Sequence, residues 1–118
     1  KARQERYYQS NLNNTAVIYL RKKDYQKAYE LYTELKDAVG EHKNSMLLIE
    51  YGYSSMAFSG FKSGRLNLEE AQALIALSNK GLDSLNNQYQ KARNYQYLSE
   101  ILFVDGDFEK AIAYAEEA

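Results

Sequence analysis

The sequence predicts an all-α fold built of paired helices. Three observations carry this. Apolar residues recur at helical spacing almost from end to end, and no segment alternates as a strand would. The 118 residues contain no Pro, the residue that breaks helix interiors. One short line, "DYQKAYELY" from Asp24, returns as "DFEKAIAYA" from Asp107, with a looser copy, "NLEEAQALI", from Asn67 between them.

A first helix is read from the stripe Tyr8, Leu12, Ala16 and Tyr19. "RKKD" follows as a short turn, with Asp24 placed to accept from free backbone N–H groups as N-cap of a second helix. That helix carries Tyr25, Ala28, Tyr29, Tyr32, Leu35 and Val39 on one face, the spacing of an amphipathic helix. Gly40 stops it in the left-handed conformation that Gly adopts cheaply. A third helix runs from about Ser45 to Lys62 and ends at Gly64. Its interior Gly52 and Gly60, with Ser55 and Ser59, are read as points of close helix approach, because an interior Gly otherwise costs about 1 kcal/mol against Ala. "NLEE" opens the fourth helix, with Asn67 as cap and Glu70 reaching back. The fourth helix carries Leu68, Ala71, Leu74, Ile75, Leu82 and Leu85. Asn86 and Asn87 break it. The fifth carries Ala92, Tyr95, Leu98, Ile101 and Leu102. "DGD" makes the last turn, and the sixth carries Phe108, Ala111, Ile112 and Ala115.

Ala28, Ala71 and Ala111 recur at about forty residues, one helix pair per period, which predicts stacked hairpins. A single hairpin is too thin to bury its own apolar stripe, so neighbours stack into a continuous core. Ala28 and Ala111 are therefore expected to be buried where two helices cross. The expected organisation is one repeat domain over 1–118, with copies at 4–40, 44–86 and 88–118, cut from a longer protein. The start shows neither an initiator Met nor an apolar signal region, and the end stops inside a helical pattern.

Composition narrows the partners. Fifteen Lys and Arg against sixteen Asp and Glu give a net charge of −1, too little positive charge to draw this segment onto nucleic acid or an anionic membrane. The absence of Cys excludes disulfide scaffolds, Cys-based zinc sites and thiol catalysis. No apolar run approaches the roughly 20 residues that span a bilayer. A cytoplasmic setting is expected, with an extracytoplasmic sensor domain as the alternative.

Candidate chemistry is sparse. His42 is the one His and is read as an exposed turn residue. Glu69–Glu70 and Glu116–Glu117 are adjacent carboxylates, but neighbouring helix positions point about 100° apart, so they read as solvated faces. "GFKSG" from Gly60 lacks both the spacing of a phosphate loop and a preceding strand. "RKK" from Arg21 complements a helix C-terminus. No nucleophile–base set, metal set or cofactor motif emerges, so no enzyme activity and no cofactor are expected.

At Leu12, Ala16, Tyr19, Asp24, Tyr25, Ala28 and Tyr32, and again at Tyr95, Leu98, Ser99, Leu102, Gly106, Asp107, Phe108, Ala111, Ala115 and Ala118, the sequence resembles tetratricopeptide repeats. The resemblance implies a right-handed superhelix of about three stacked hairpins that docks a protein or an extended peptide. The period is longer than usual, as in repeat domains of bacterial regulators, which points to a module of a larger signalling or transcription-regulating protein. The family's Pro is missing, and the middle copy has extra residues in "KSGRLNLEEA". The family's groove positions fall on Ser10, Asn13, Asn14, Val17 and Arg21 in the first copy, and on Arg93, Gln96, Tyr97 and Glu100 in the third. The peptide-binding set implied is Asn13, Asn14, Arg21, Arg93, Gln96 and Tyr97, whose amides and guanidinium groups can pair with a peptide backbone. The family's clamp for a C-terminal carboxylate uses Lys and Asn in the first repeat and Lys and Arg in the third, at positions held here by Asn13, Val17, Arg93 and Tyr97. Only Arg93 qualifies, so that clamp is not expected. The competing reading is a structural spacer or self-association array, and the end of the sixth helix is expected to offer apolar surface for self-association.

Overall fold

A computed structural model describes residues 2–40 and 45–118. The described residues are all-α: α1 (Ala2–Arg21), α2 (Tyr25–Val39), α3 (Tyr53–Lys62), α4 (Leu68–Leu85), α5 (Gln88–Asp105) and α6 (Phe108–Glu117). Each helix packs on the next along the chain, and α3 also touches α5. The result is elongated, 49 × 31 × 21 Å. His42 lies outside the described residues.

The caps read from the sequence at Asp24 and Asn67 are present, and Asn87 and Asp107 cap their helices as well. The Asp24 carboxylate accepts from the Lys27 N–H at 3.2 Å, and that of Asp107 from the Lys110 N–H at 3.2 Å. Asn67 and Glu70 form a reciprocal pair, 2.8 and 3.0 Å, at the start of α4. Asn87 accepts from the Gln90 N–H at 3.1 Å, and Asn86 ends α4 in the left-handed conformation. The turns α1–α2 and α5–α6 share one geometry. Asp24 and Asp107 have nearly the same φ and ψ (−85°, 77° and −88°, 76°). The Asp24 N–H reaches Tyr19 O, and the Asp107 N–H reaches Leu102 O, both at 2.9 Å. The residue before each cap has positive φ: Gly106 at 96° and Lys23 at 65°.

Ala16, Ala28, Ala57 and Ala71 are completely buried and Ala111 is 4% exposed, so helices cross closely at all three matching Ala positions. The core runs in two contiguous clusters. One joins α1, α2, the start of α3 and Leu82; the other joins α3, α4 and α5. Tyr rings fill seams between helices. Tyr25 meets Phe58 edge-on at 5.8 Å, and Phe58 stacks on Tyr97 at 4.6 Å. Tyr32 is fully buried.

The third helix departs from the sequence reading. It is helical from Met46, but Leu48–Gly52 form a π-helical turn before α3. The Tyr53 N–H reaches back five residues to Leu48 O. From Tyr53 to Gly60 every residue is buried. The extra residues before α4 fold back over this helix. The Leu66 N–H bonds Gly60 O at 3.0 Å, and a Cβ at Gly60 would lie 2.5 Å from Leu66 Cδ1 and 2.8 Å from Tyr29 Cε1.

Two outcomes are expected. A left-handed conformation strains any residue with a Cβ, so Lys23→Gly should raise stability by about 0.5–1 kcal/mol, and Gly106→Ala should lower it by about 1 kcal/mol or more. Urea unfolding of the two variants measures both. Burial pushes the Tyr32 hydroxyl up to about 12, with a smaller lowering from Ser55 beside it. Above pH 10 the unfolded chain then releases a proton that the folded chain keeps. The stability contributed is intact below pH 10 and falls by about 1.4 kcal/mol per pH unit up to about pH 12. Tyr32→Phe should flatten that part of the stability–pH curve relative to the parent.

Candidate functional site

The inner sides of α1 and α5 face each other across the start of the third helix. Between them lies a cleft of about 440 Å³ lined by Asn13, Asn14, Val17, Leu20, Arg21, Leu47, Tyr51 and Arg93. Asn13, Asn14, Val17 and Arg21 share a side of α1 because positions three, four and seven apart lie one above another on a helix. Four of the six expected binding residues, Asn13, Asn14, Arg21 and Arg93, therefore meet in one cleft. Gln96 does not join them. It is exposed in an adjoining hollow with Tyr89 and Ala92, reached past Arg93. Tyr97 lines neither space. Its ring stacks on Phe58, and its hydroxyl accepts from the Arg93 guanidinium at 2.8 Å.

Asn13 lines the cleft but is largely covered. It is 7% exposed, and its Oδ1 is buried with no hydrogen-bond partner. The reason is its position toward the α1 seam, one residue from Leu12 and three from Ala16, both core residues. Arg93 is held over the Tyr97 ring at 5.3 Å, so its planar group is oriented before any ligand arrives. Neither Arg21 nor Arg93 forms an ion pair among the described residues, and no carboxylate lines the cleft. The cleft is thus positive inside a chain of net charge −1. Its walls offer guanidinium and amide groups, the Tyr51 phenol, and the apolar side chains of Val17, Leu20 and Leu47.

Leu47 and Tyr51 were not foreseen as lining residues. They flank and occupy the π turn, which shifts the side-chain phase by about one residue against a regular α-helix. No feature of local composition announces that shift. The turn is held from the other side. The Ser78 Oγ donates to Ile49 O at 2.7 Å, and Asn94 Nδ2 donates to Ser78 Oγ at 3.0 Å and to Asn79 Oδ1 at 2.8 Å. Gly81 of α4 comes so close that a Cβ there would lie 2.7 Å from Ile49 Cγ2.

Three or more His, Cys, Asp or Glu side chains grouped to hold a metal do not occur among the described residues. No described helix is long and apolar enough to cross a membrane. No family model, no curated protein and no solved structure matches this chain.

The seat of the π turn is testable. In a solvated helix, Gly→Ala gains up to about 1 kcal/mol. At Gly81 the added methyl meets three atoms of a β-branched side chain, so Gly81→Ala should instead destabilise by about 1–2 kcal/mol. Thermal unfolding gives the sign.

Proposed function

We propose that this chain is a tetratricopeptide-like interaction module of a larger regulatory protein, and that the α1–α5 cleft docks an extended peptide segment of a protein partner. The observation that carries the reading is the buried, unpartnered Asn13 amide oxygen beside a cleft with two guanidinium groups that form no ion pair among the described residues. A buried acceptor without a partner costs about 1–3 kcal/mol. A peptide N–H satisfies it once the Asn13 side chain turns from its covered position toward the cleft. Asn14, beside it and exposed, can meet both N–H and C=O of a strand-like segment, while Arg21 and Arg93 present planar forks to an acidic side chain. Affinity should be modest, because the peptide is ordered on binding.

Stability and binding should separate at this cleft. Asn13→Leu replaces an unsatisfied amide by an apolar group of similar size, so it should keep or raise the melting temperature while abolishing peptide capture. Arg21→Ala with Arg93→Ala should weaken capture about tenfold or more with little change in melting temperature. The measurement is selection from a randomised peptide library, followed by fluorescence anisotropy of the selected peptides. Equal capture by the parent and both variants would place any docking elsewhere on the molecule.

A further inference from the structure

Resting on the docking of a peptide in the α1–α5 cleft, we infer that the docked segment is recognised by a phosphorylated side chain whose phosphate bridges Arg21 and Arg93. The geometry behind this is a pair of guanidinium groups brought to one space by two helices. Arg21 lines the cleft from α1 and Arg93 lines it from α5. Neither forms an ion pair among the described residues, and no carboxylate lines the cleft.

Charge decides the class of ligand. One carboxylate carries a single negative charge, so it neutralises one arginine and leaves the other. A second carboxylate does not stand beside the first. Successive side chains of an extended segment point to opposite faces, so the next one on the same face is about 7 Å further on. A phosphate monoester carries about −1.5 to −2 charges at neutral pH on three strong acceptor oxygens. One such group can meet two guanidinium forks at once, each through paired N–H···O bonds. It balances both arginines with a single side chain.

The two arginines differ in a way that suits this role. Arg93 is positioned in advance. One of its N–H groups donates to the Tyr97 hydroxyl at 2.8 Å, and its planar group lies 5.3 Å from the centre of the Tyr97 ring. Its other N–H donors can serve a ligand. Arg21 is exposed on a long flexible stem, so it can close on an anion that Arg93 already holds. Lys22 and Lys23 follow it, both exposed and without an ion pair among the described residues. This basic run adds positive potential beside the cleft and draws in a multiply charged anion. Asp24, next in the chain, is engaged as the cap of α2.

The remaining lining favours a phosphate carried on a polypeptide over a free one. Val17, Leu20 and Leu47 give the cleft an apolar wall, which a small anion would leave uncovered and a flanking side chain would cover. Asn14 and Tyr51 add an amide and a phenol that can meet peptide groups. A space of about 440 Å³ is also far larger than one phosphate fills.

Fluorescence anisotropy on the 118-residue chain tests the inference. The probes are peptide sets randomised around one fixed central residue: phosphoserine, phosphothreonine, phosphotyrosine, Ser or Glu. At least one phosphorylated set should bind about tenfold more tightly, or better, than the Ser and Glu sets. Inorganic phosphate should compete with it, and should shift the Arg21 and Arg93 Nε–H signals in an NMR titration. Arg21→Gln and Arg93→Gln should each erase the preference for phosphate. Arg21→Lys keeps the charge but loses the fork, so it should keep only part of that preference. Should Arg93→Gln fail to fold, the exposed Arg21→Gln decides alone. A Glu set that binds as tightly as every phosphorylated set, and is lost in the Arg variants, overturns this inference and leaves peptide docking in the cleft standing. A phosphate preference that survives the Arg variants also overturns it, because the phosphate then binds elsewhere. Inorganic phosphate bound at the two arginines with no peptide set captured overturns both readings, in favour of a small phosphorylated compound.

Discussion

The fold depends on a helix enclosed on every side. Residues Tyr53–Gly60 of α3 are buried without interruption, because α2, α4 and α5 all pack against the same ten-residue helix. A helix so enclosed cannot carry large side chains all round. Ser54, Ser55, Ala57, Ser59 and Gly60 leave room for the neighbours, while Met56 and Phe58 fill what space remains. The polar cost is contained locally: the Ser59 Oγ donates to Ser55 O on its own helix at 2.7 Å. At Gly60, Leu66 and Tyr29 arrive from two sides where a Cβ would otherwise stand. Interior Gly is a weak helix residue, and here tertiary packing outweighs that weakness.

The same enclosure shapes the cleft. The chain enters α3 through the π turn, whose backbone is tied by Ser78 to α4 and through Asn94 to α5. Fixing this turn sets Tyr51 and Leu47 toward α1. It also sets the distance between α1 and α5, since both line a space floored by that turn. Arg93 is oriented by Tyr97, and Tyr97 by its stacking on Phe58 of α3. The one cleft side chain from α5 is thereby referred back to the enclosed helix. Asn13 is the exception: buried beside the α1 core yet unsatisfied, it gives up stability at the wall of the cleft.

Helix identity and order were legible because each depends on local rules. Asp24, Asn67, Asn87 and Asp107 cap through their own side chains, and Gly40, Gly64 and Gly106 adopt positive φ. The α1 residues of the cleft came from the family resemblance, and they share a side because one regular helix brings positions three, four and seven apart together. Their degree of burial was not legible. Asn13 and Asn14 are neighbours of the same type, and only the packing of α1 distinguishes a buried amide from an exposed one. The π turn was invisible because its stabilising partners, Ser78 and Gly81, come from about thirty residues away. Gln96 and Tyr97 were assigned by family position like the rest, but the stacking of the Tyr97 ring on Phe58 is a tertiary fact.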